Sequence, residues 1–532
     1  MSEFAQLTPR FSRVVLAGMM GSGKTVVGRK LARYLGWPLI DTDAEIVRRA
    51  GMSIPEIFAQ EEEAGFRVRE REVVREIAPR RQVIIATGGG ALLSEENRRN
   101  LHEGALLVHL RAEVSTLAAR LRDKNDRPLL DGPDPAGKLS EIYRERAHIY
   151  ERLPVQVVTD GRAPAAIAQE ILAHLFSGQA ALNEDRFSVQ LGTGALAHLP
   201  ERIAQHRMSP PYVVLVDRNV LRLSEGWLRG ALEPVLKQGV LIPVRASERS
   251  KSLGAARRLW SELHRIRAER SSGIVVIGGG VLSDLGGFIA STYKRGLPLV
   301  LVPTTLLAQV DAAIGGKTGI NFGGSKNMVG SFYLAKETLL DPLFLLTLPA
   351  RQLRSGLAEV IKAALLDGAG FFEFLEENLE AVLQRRLDIL QETVRRAAEI
   401  KIRIVLEDFR EESGRRMLLN LGHTFGHAFE ALSRYRLLHG EAVAIGLVKA
   451  AQLARIMGLS GPELVERIER LLRRAKLPTR APDFSPEAVL SQIAQDKKRL
   501  HNKVNLVLPR RIGQVEVVPL DSDAPLRQVL SK

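Results

Sequence analysis

One short run of residues, Gly18–Thr25, carries the most specific chemical signal in the sequence. It reads Gly-Met-Met-Gly-Ser-Gly-Lys-Thr and matches the pattern G-x-x-x-x-G-K-[ST], between an apolar run and a helical pattern. Glycines let backbone N–H groups converge on phosphate oxygens, Lys24 can reach the terminal phosphates, and the Thr25 hydroxyl can ligate Mg²⁺. The run therefore predicts a site for ATP with Mg²⁺, formed by Gly18, Gly21, Ser22, Gly23, Lys24 and Thr25.

Polar residues farther along the first third of the chain indicate how ATP is used. Asp41 and Asp43 follow a second predicted strand, so one carboxylate can hold Mg²⁺ while the other takes a proton from a substrate hydroxyl. Thr87–Gly90, a threonine and three glycines after another strand, lets the backbone approach a small ligand closely. Further arginines can clamp a carboxylate or close a lid: Arg67, Arg146 and Arg127. We expect a kinase that acts on a small carboxylated polyol.

Histidines and a glutamate in the last third of the chain suggest a metal site. His423 and His427 are one helical turn apart on one face, and His439 follows in the run His-Gly-Glu. Glu359 lies one turn before Lys362 in another helical pattern. Because the sequence has no cysteine, any metal must be held by histidines and carboxylates. Two histidines and one carboxylate form a common open zinc site.

The segment before these histidines is rich in glycine and charge. Gly278–Gly280 follow a predicted strand, but they do not match the G-x-G-x-x-G dinucleotide fingerprint. Polar groups then cluster after buried strands, and their burial is costly unless they meet a ligand. A phosphorylated, hydroxylated ligand would suit this set, which comprises Arg295, Thr304, Thr305, Asp311, Lys317, Lys326 and Asn327.

The elements that must position these residues follow an α/β pattern. Short apolar strands alternate with helical patterns up to residue 176, which predicts a parallel sheet covered by helices on both faces. A small, polar stretch at 177–186 reads as a linker. A second α/β domain is expected at 187–340, followed by a mainly α-helical domain at 341–532.

Composition and charge restrict the function classes. The 532-residue chain is 45% hydrophobic and 26% charged, which is typical of soluble globular domains. We find no apolar run long enough for a membrane span and no signal-peptide pattern, and we expect a cytoplasmic protein. The net charge of +15 is compatible with a nucleic-acid surface. Since the basic residues are dispersed among glutamates, we favour solvated helices and anion sites, with no nucleic-acid partner.

The first part of the chain, from residue 13 to about 175, resembles shikimate kinase. The resemblance rests on the phosphate loop, Asp41-x-Asp43, Phe66-Arg67, the triple glycine, Arg127-Pro-Leu-Leu and Arg146-Ala-His-Ile-Tyr. It implies that Asp41 organises Mg²⁺ and that Asp43 binds shikimate and acts as the base. It also implies lid and adenine contacts for Arg127 and Arg120. Shikimate-binding residues would be Asp43, Arg67, Gly88, Gly89, Gly90 and Arg146, with Lys24 and Arg127 also catalytic.

The second part, from about 187 to 520, resembles 3-dehydroquinate synthase. Matching runs include Gly278-Gly-Gly-Val, Gly315-Gly-Lys-Thr, Ser355-Gly-Leu-Ala-Glu and Asn420-Leu-Gly-His. The resemblance implies a Zn²⁺ (or Co²⁺) site at Glu359, His423 and His439. It implies NAD contacts at Asn219, Glu248, Lys251, Gly279, Gly280, Val281, Asp284, Thr304, Thr305, Lys317 and Lys326. Substrate contacts would be Arg295, Asp311, Lys317, Asn327, Lys362, Lys401, Arg416, Asn420, His427 and Lys498, with Lys317, Lys362 and His427 catalytic.

Together the two resemblances imply a bifunctional shikimate-pathway enzyme. One activity would phosphorylate shikimate with ATP, and the other would convert the sugar acid phosphate DAHP into 3-dehydroquinate and phosphate with NAD. Arg295 matches a residue that reaches a neighbouring subunit, which implies a homodimer. Three alternatives remain open at this point: a related sugar-phosphate cyclase, a metal-dependent polyol dehydrogenase, and a nucleotide-switched binding protein.

Overall fold

The computed structural model describes residues 9–122, 134–176, 180–181, 188–323, 325–497, 504–520 and 522–531. The chain divides into two compact units. The first comprises Met1–Gly178 together with Leu223–Gly230, and the second comprises Gln179–Arg222 together with Ala231–Lys532. None of the described helices combines the length and the continuous apolar character that a membrane span requires.

The first unit is a five-stranded parallel sheet between helices. Its strands lie in the order β2-β3-β1-β4-β5, and the central ones are buried on both faces, as expected of a parallel sheet covered by helices. The strands are β1 Arg13–Ala17, β2 Leu39–Asp41, β3 Val83–Ala86, β4 Ala105–Arg111 and β5 Val155–Val158. The helices are α1 Lys24–Leu35, α2 Thr42–Ala50, α3 Ile54–Ile77, α4 Glu95–His102, α5 Val114–Leu121, α6 Pro135–Tyr150 and α7 Pro164–Leu175.

The second unit begins with a seven-stranded sheet, ordered β6-β7-β14-β11-β10-β8-β9 and parallel except for the edge strand β6. Its strands are β6 Ala180–Ala181, β7 Ser188–Leu191, β8 Ser209–Asp217, β9 Gly239–Val244, β10 Ser272–Gly278, β11 Leu299–Pro303 and β14 Glu337–Leu340. A separate antiparallel hairpin comprises β12 Lys317–Phe322 and β13 Ser325–Phe332. The helices of this part of the chain are α8 Leu199–Gln205, α9 Arg218–Leu223, α10 Glu225–Leu236, α11 Leu253–Arg265 and α12 Gly280–Thr292. The last residue of α9 and the first half of α10, up to Gly230, are grouped with the first unit.

The remainder of the second unit is mainly helical. Its helices are α13 Ala350–Asp367, α14 Ala369–Leu383, α15 Leu387–Glu407, α16 His423–Leu432, α17 His439–Ile456, α18 Pro462–Arg474, α19 Pro486–Lys497 and α20 Ala524–Leu530. It also contains an antiparallel pair, β15 Val504–Arg511 and β16 Gln514–Leu520, that the helical patterns did not predict.

The α/β fold class predicted from the sequence is confirmed, with parallel sheets in both units and a helical region after the second sheet. Two residues of the predicted linker, Ala180 and Ala181, pair with β7 and extend the second sheet. A boundary near residue 340 remains a prediction, since residues on both sides of it belong to one compact unit.

Candidate functional site

The phosphate loop lies between β1 and α1, as its pattern predicts. Gly18, Gly21 and Gly23 have φ values of 140°, 80° and 97°, which L-residues rarely adopt. A side chain at Gly18 would also place its Cβ 2.6 Å from the Leu110 carbonyl oxygen. The Lys24 ammonium donates to the carbonyl oxygens of Gly18 and Met19 at 2.8 and 3.0 Å, so the cation lies over the loop. The backbone is thus shaped for close approach of an anion.

Asp41 joins the phosphate loop to the end of β2. Its Oδ2 accepts a hydrogen bond from the Thr25 hydroxyl at 2.7 Å. Its Oδ1 accepts from the backbone N–H groups of Asp43 and Ala44 at 3.1 and 3.4 Å, and so caps α2. A hydroxyl and a carboxylate are the hard oxygen ligands that Mg²⁺ prefers, and these two residues therefore fit a magnesium site.

The triple glycine lets charged groups meet after β3. A Cβ on Gly88 would lie 2.5 Å from Asp43 Oδ1 and 2.9 Å from Glu70 Oε1. A Cβ on Gly90 would collide with the Arg67 guanidinium. The structure thus brings Asp43 and Arg67 to the glycines, as predicted, and adds Glu70, which sequence reasoning missed.

Glu70 is a buried carboxylate that pairs with Arg67. Arg67 Nη1 lies 2.7 Å from Glu70 Oε2, and Arg67 Nη2 lies 2.7 Å from Glu63 Oε1. The Glu70 side chain is 1% exposed, and burial raises the pKa of its carboxyl, although Arg67 opposes the shift. The sequence signal that could have found it is its position one turn after Arg67 in α3, on the same inward face.

Two more predicted arginines of the first unit, Arg146 and Arg120, contact the triple glycine and the phosphate loop. Arg146 is buried and donates from Nη1 to the Gly89 carbonyl oxygen at 2.8 Å. Arg120 donates to the Gly21 carbonyl oxygen at 3.2 Å and to that of Thr159 at 2.9 Å, which places it against the phosphate loop. Arg127 lies outside the described residues.

In the second unit, three side chains from three helices converge. Glu359 Oε1 lies 3.4 Å from His423 Nε2 and 3.3 Å from His439 Nε2, and one ligand atom of each residue lies within 4.8 Å of the others. Ligand atoms at about 2.0–2.1 Å from a tetrahedral Zn²⁺ are roughly 3.3–3.4 Å apart. Both the donor types and their spacing therefore fit a zinc ion.

Glycines set the spacing of these helices. A Cβ on Gly440, next to His439, would collide with the Ser355 carbonyl oxygen in α13. A Cβ on Gly446 in α17 would collide with the Gly422 carbonyl oxygen, immediately before His423. Gly422 itself has φ 77° and leads into α16. Close contact between backbones, possible only without side chains, therefore brings the predicted metal ligands together.

Charged groups next to the cluster form buried pairs. The Lys362 ammonium pairs with Glu359 Oε2, and the Lys401 ammonium pairs with Asp311. Burial lowers the pKa of Lys401 despite Asp311. Burial also opposes the charged form of Lys362, but Glu359 and Asp311 outweigh it and raise its pKa. Asp311 lies in a single π-helical turn, Ala308–Ala312, a distortion frequent at functional sites.

Two further predicted cations lie around Gly315. Arg416 is buried and donates to the carbonyl oxygens of Gly315 and Phe409 at 3.1 and 2.8 Å. Lys317, at the start of β12, pairs with Glu411. Glu411 Oε1 also lies 3.4 Å from Arg416 Nε, so one carboxylate serves both cations. Sequence reasoning missed Glu411, which no motif distinguishes from its acidic neighbours.

The predicted NAD-contacting glycines follow the carboxyl end of β10, and the predicted threonines follow that of β11. A Cβ on Gly279 would lie 3.0 Å from Thr305 Cγ2, and the Thr304 N–H donates to the Gly278 carbonyl oxygen at 3.0 Å. Val281 follows in the first turn of α12. In open parallel sheets, ligands bind at this edge.

Near this edge, polar side chains from the segment before α11, from α12 and from the hairpin contact one another. The Lys251 ammonium donates to Asp284 Oδ2 at 2.6 Å and also to Asn327 Oδ1. Desolvation raises the pKa of Asp284 to about 6, while Lys251 opposes the shift. Glu248 accepts from Asn321 Nδ2 at 2.8 Å. Lys326 pairs with Glu430 at 2.6 Å.

The remaining predicted residues are more peripheral. Asn219 is exposed after β8, and Arg295 is exposed after α12 with φ 65°. Asn420 is exposed before the metal-site histidines. His427 is exposed too, but its ring centroid lies 5.4 Å from that of His423 and 6.1 Å from that of His439. Lys498 lies outside the described residues.

Three family models match separate segments of the chain. The model for shikimate kinase matches residues 20–176. The models for the N-terminal and C-terminal parts of 3-dehydroquinate synthase match residues 241–355 and 356–499. These are the two resemblances predicted from the sequence, and both are confirmed.

Individual relatives agree with the family models. A 3-dehydroquinate synthase from Symbiobacterium thermophilum is 41% identical over 341 residues, covering 64% of this chain and 95% of its own. Among solved structures, 2-epi-5-epi-valiolone synthase from Streptomyces hygroscopicus, with NAD⁺ and Zn²⁺ bound, has a TM-score of 0.61 at 31% identity, covering 66% of this chain and 98% of its own.

One relative spans both parts. A bifunctional shikimate kinase/3-dehydroquinate synthase from Thermotoga maritima is 34% identical over 519 residues, covering 96% of this chain and 98% of its own. The chain belongs to the family of bifunctional shikimate kinase/3-dehydroquinate synthase enzymes.

Proposed function

We propose that this protein catalyses two reactions of aromatic biosynthesis. The first unit phosphorylates shikimate to shikimate 3-phosphate with ATP and Mg²⁺. The second unit converts DAHP to 3-dehydroquinate and phosphate, with NAD and Zn²⁺ or Co²⁺ as cofactors. One observation carries the proposal: each unit has its own set of cations and carboxylates at the carboxyl edge of its own parallel sheet.

In the first unit, the phosphate loop and Lys24 hold the ATP phosphates, and Arg120 lies where it can face the adenine. Thr25 and Asp41 are the residues that would hold Mg²⁺, which neutralises phosphate charge when bound. The carboxylate of Asp43 takes the proton of the attacking hydroxyl, because it lies beside Gly88 of the triple glycine and two residues after Asp41.

Shikimate orientation falls to the two arginines beside the triple glycine. Arg67 and Arg146 present guanidinium groups that can bind a carboxylate in two parallel hydrogen bonds. Glu70 fixes the Arg67 side chain through its 2.7 Å ion pair. We retain Arg127 as the residue that closes over ATP, on the resemblance alone.

In the second unit, Glu359, His423 and His439 are the residues that would hold the metal ion. The edge formed by Gly279, Thr305 and their neighbours would hold NAD. A bound metal would supply polarisation of a substrate oxygen, and bound NAD would supply reversible hydride transfer. The protein's own contribution is to orient the substrate and to balance its charges at this site.

Cations of the second unit are suited to a phosphorylated acid. Arg416 donates to the Gly315 carbonyl oxygen, Lys317 shares Glu411 with Arg416, and Lys362 pairs with Glu359. Such fixed charges stabilise the anion that develops as phosphate leaves. His427 would move a proton at the substrate, which its exposed position beside the cluster supports.

A second candidate for the second unit is a related sugar-phosphate cyclase, because the 2-epi-5-epi-valiolone synthase shares its fold at 31% identity. We favour 3-dehydroquinate synthase, since the relative that spans both parts carries that name together with shikimate kinase.

Two product assays on the purified protein test the proposal. With shikimate and ATP, we expect shikimate 3-phosphate. With DAHP, NAD⁺ and Zn²⁺, we expect 3-dehydroquinate and one phosphate per turnover, without net NADH. NADH accumulation without phosphate release would contradict the synthase and favour a dehydrogenase. Turnover of a sugar phosphate but not DAHP would favour the other cyclase.

We also propose a cytoplasmic homodimer that forms through the second unit. Exposed Arg295 supports the dimer, since its family counterpart reaches a neighbouring subunit's site. Light scattering after size-exclusion chromatography should give twice the chain mass of 58.7 kDa.

A further inference from the structure

Glu430 is a buried carboxylate that neither the sequence motifs nor the proposed reaction uses. It lies in α16 two turns after His423, so that one face of this helix carries both residues. Its side chain is 10% exposed, and its two oxygens contact groups from different elements. A buried charge in this position requires partners on both oxygens.

The first partner is His439. Glu430 Oε2 lies 3.4 Å from His439 Nδ1, while the other ring nitrogen, Nε2, faces Glu359. An N–H on Nδ1 that points to a carboxylate leaves the Nε2 lone pair toward the cluster. Groups that hold the second nitrogen of a metal-binding histidine typically fix its tautomer and ring orientation.

The other histidine is held differently. His423 Nδ1 lies 3.2 Å from the backbone carbonyl oxygen of Leu421, with its Nε2 again toward Glu359. A backbone carbonyl near the start of the same helix cannot move independently of the helix. Only His439 therefore depends on a charged side chain for its orientation among these two histidines.

The second partner of Glu430 lies on the hairpin. The Lys326 ammonium is 2.6 Å from Glu430 Oε1 and 4.2 Å from the centre of the Tyr435 ring. Lys326 is also an expected NAD contact, next to Asn327, which is bonded to Lys251. One carboxylate thus connects the hairpin expected to bind the cofactor with an imidazole expected to bind the metal.

We propose that Glu430 is a positioning residue that orients His439 for metal binding and couples the metal site to the hairpin through Lys326. This inference rests on the proposed metal site. It predicts that changes to Lys326 alter metal affinity, although Lys326 offers no metal-binding atom in its cationic form.

Zinc affinity of the full-length metal-free protein, measured by chelator competition, provides the test. We expect Glu430→Ala to weaken zinc binding by roughly 10–100-fold, as is typical when the partner of a metal-binding histidine is removed. Glu430→Gln should lose less zinc affinity than Glu430→Ala, because the glutamine amide oxygen can still accept a hydrogen bond from His439 Nδ1. The control is Glu441→Gln, which lies in α17 close to His439 but pairs with Arg351 and should bind zinc like the wild type.

A double-mutant cycle tests the coupling. Lys326→Met should weaken zinc binding in the wild-type background but have no further effect on Glu430→Ala. In Co²⁺-loaded protein, the visible d–d bands should shift with Glu430→Ala but not with Glu441→Gln. Thermal unfolding of each metal-free variant verifies that it is folded.

The outcomes separate the two proposals. If the wild type binds zinc stoichiometrically and both Glu430 variants bind it equally well, Glu430 does not position His439. Additive effects of Lys326→Met and Glu430→Ala would overturn the coupling. If the wild type binds no zinc, the proposed metal site fails, and this inference fails with it.

Discussion

The candidate sites of the two units are held in place by different parts of the protein. In the first, Asp41 ends one strand, and the phosphate loop and the triple glycine follow two neighbouring parallel strands, so the backbone of one sheet fixes all three. In the second, the sheet positions only the residues predicted to contact NAD. The predicted metal ligands come from α13, α16 and α17, whose spacing depends on glycines.

This difference teaches how each site should fail. A site fixed by strand ends is sensitive to its own loop residues. A site assembled between helices is sensitive also to packing at positions that touch no ligand, because sub-ångström shifts separate the ligand atoms. Variants in each unit can measure this difference in sensitivity, because the activity of the other unit serves as an internal control.

The largest effect is expected at the metal ligands. Glu359→Ala should lower DAHP turnover by about 10³-fold or more, because it removes several kcal/mol of charge stabilisation. Shikimate phosphorylation by the same sample should be unchanged. Coupled assays for phosphate release and ADP formation measure both. Equal loss of the two activities would show a general folding defect instead.

Lys24→Ala should have the next largest effect, in the opposite unit. Loss of the cation over the phosphate loop should reduce kinase turnover by about 10²–10³-fold while DAHP turnover persists. Lys30→Ala, in the same helix α1 but beyond the loop, is the matched control. Near-normal ATP turnover by Lys24→Ala would refute the assignment of the loop.

Gly446→Ala tests packing without touching a ligand. Its methyl group would collide with the Gly422 carbonyl oxygen, so we expect about 1–3 kcal/mol of destabilisation and weaker zinc binding. Gly370→Ala in α14 meets nothing within 4 Å and should be neutral or slightly stabilising. Denaturant unfolding and chelator competition measure the two quantities. If both variants behave alike, packing does not set the metal geometry.

The smallest effect concerns Glu70. Burial raises the pKa of Glu70 in the folded state above the ordinary value of 4.5. In the pH window that begins near 4.5 and extends to the folded-state pKa, the folded protein therefore binds more protons than the unfolded chain. Wild-type stability therefore decreases as pH rises through this window. Glu70→Gln removes the titrating group, and its melting temperature should depend less on pH there. An unchanged pH slope would mean that Glu70 does not titrate with folding.

The sequence was most informative where chemistry is contiguous. The whole phosphate loop occupies Gly18–Thr25, and its pattern requires the strand and helix that flank it. The histidines were similarly recognisable, since the sequence has no cysteine and only 11 histidines, three of which lie within seventeen positions. Their approach to Glu359 was not derivable from spacing, because it depends on how three helices pack.

The missed residues are all glutamates. The chain has 61 acidic residues, and a glutamate on a solvated helix face has the same local pattern as a buried one. Glu70, Glu411 and Glu430 differ from the others only in their tertiary neighbours, which are cations from distant parts of the chain or the next helical turn. The strands β15 and β16 were missed because they follow a long run of helical patterns.

The pairing of Lys317 with Glu411 has a consequence for how a ligand enters. Lys317 already has an internal counter-ion, so if the proposed phosphate contact forms there, the incoming phosphate would replace a carboxylate rather than meet an unpaired cation. The binding free energy would then be the difference between two ion pairs, and Glu411 would be released toward solvent as the ligand arrives. Such an exchange would lower the affinity for every anion, but it would raise selectivity, since only an anion that binds Lys317 more strongly than Glu411 does can occupy the site.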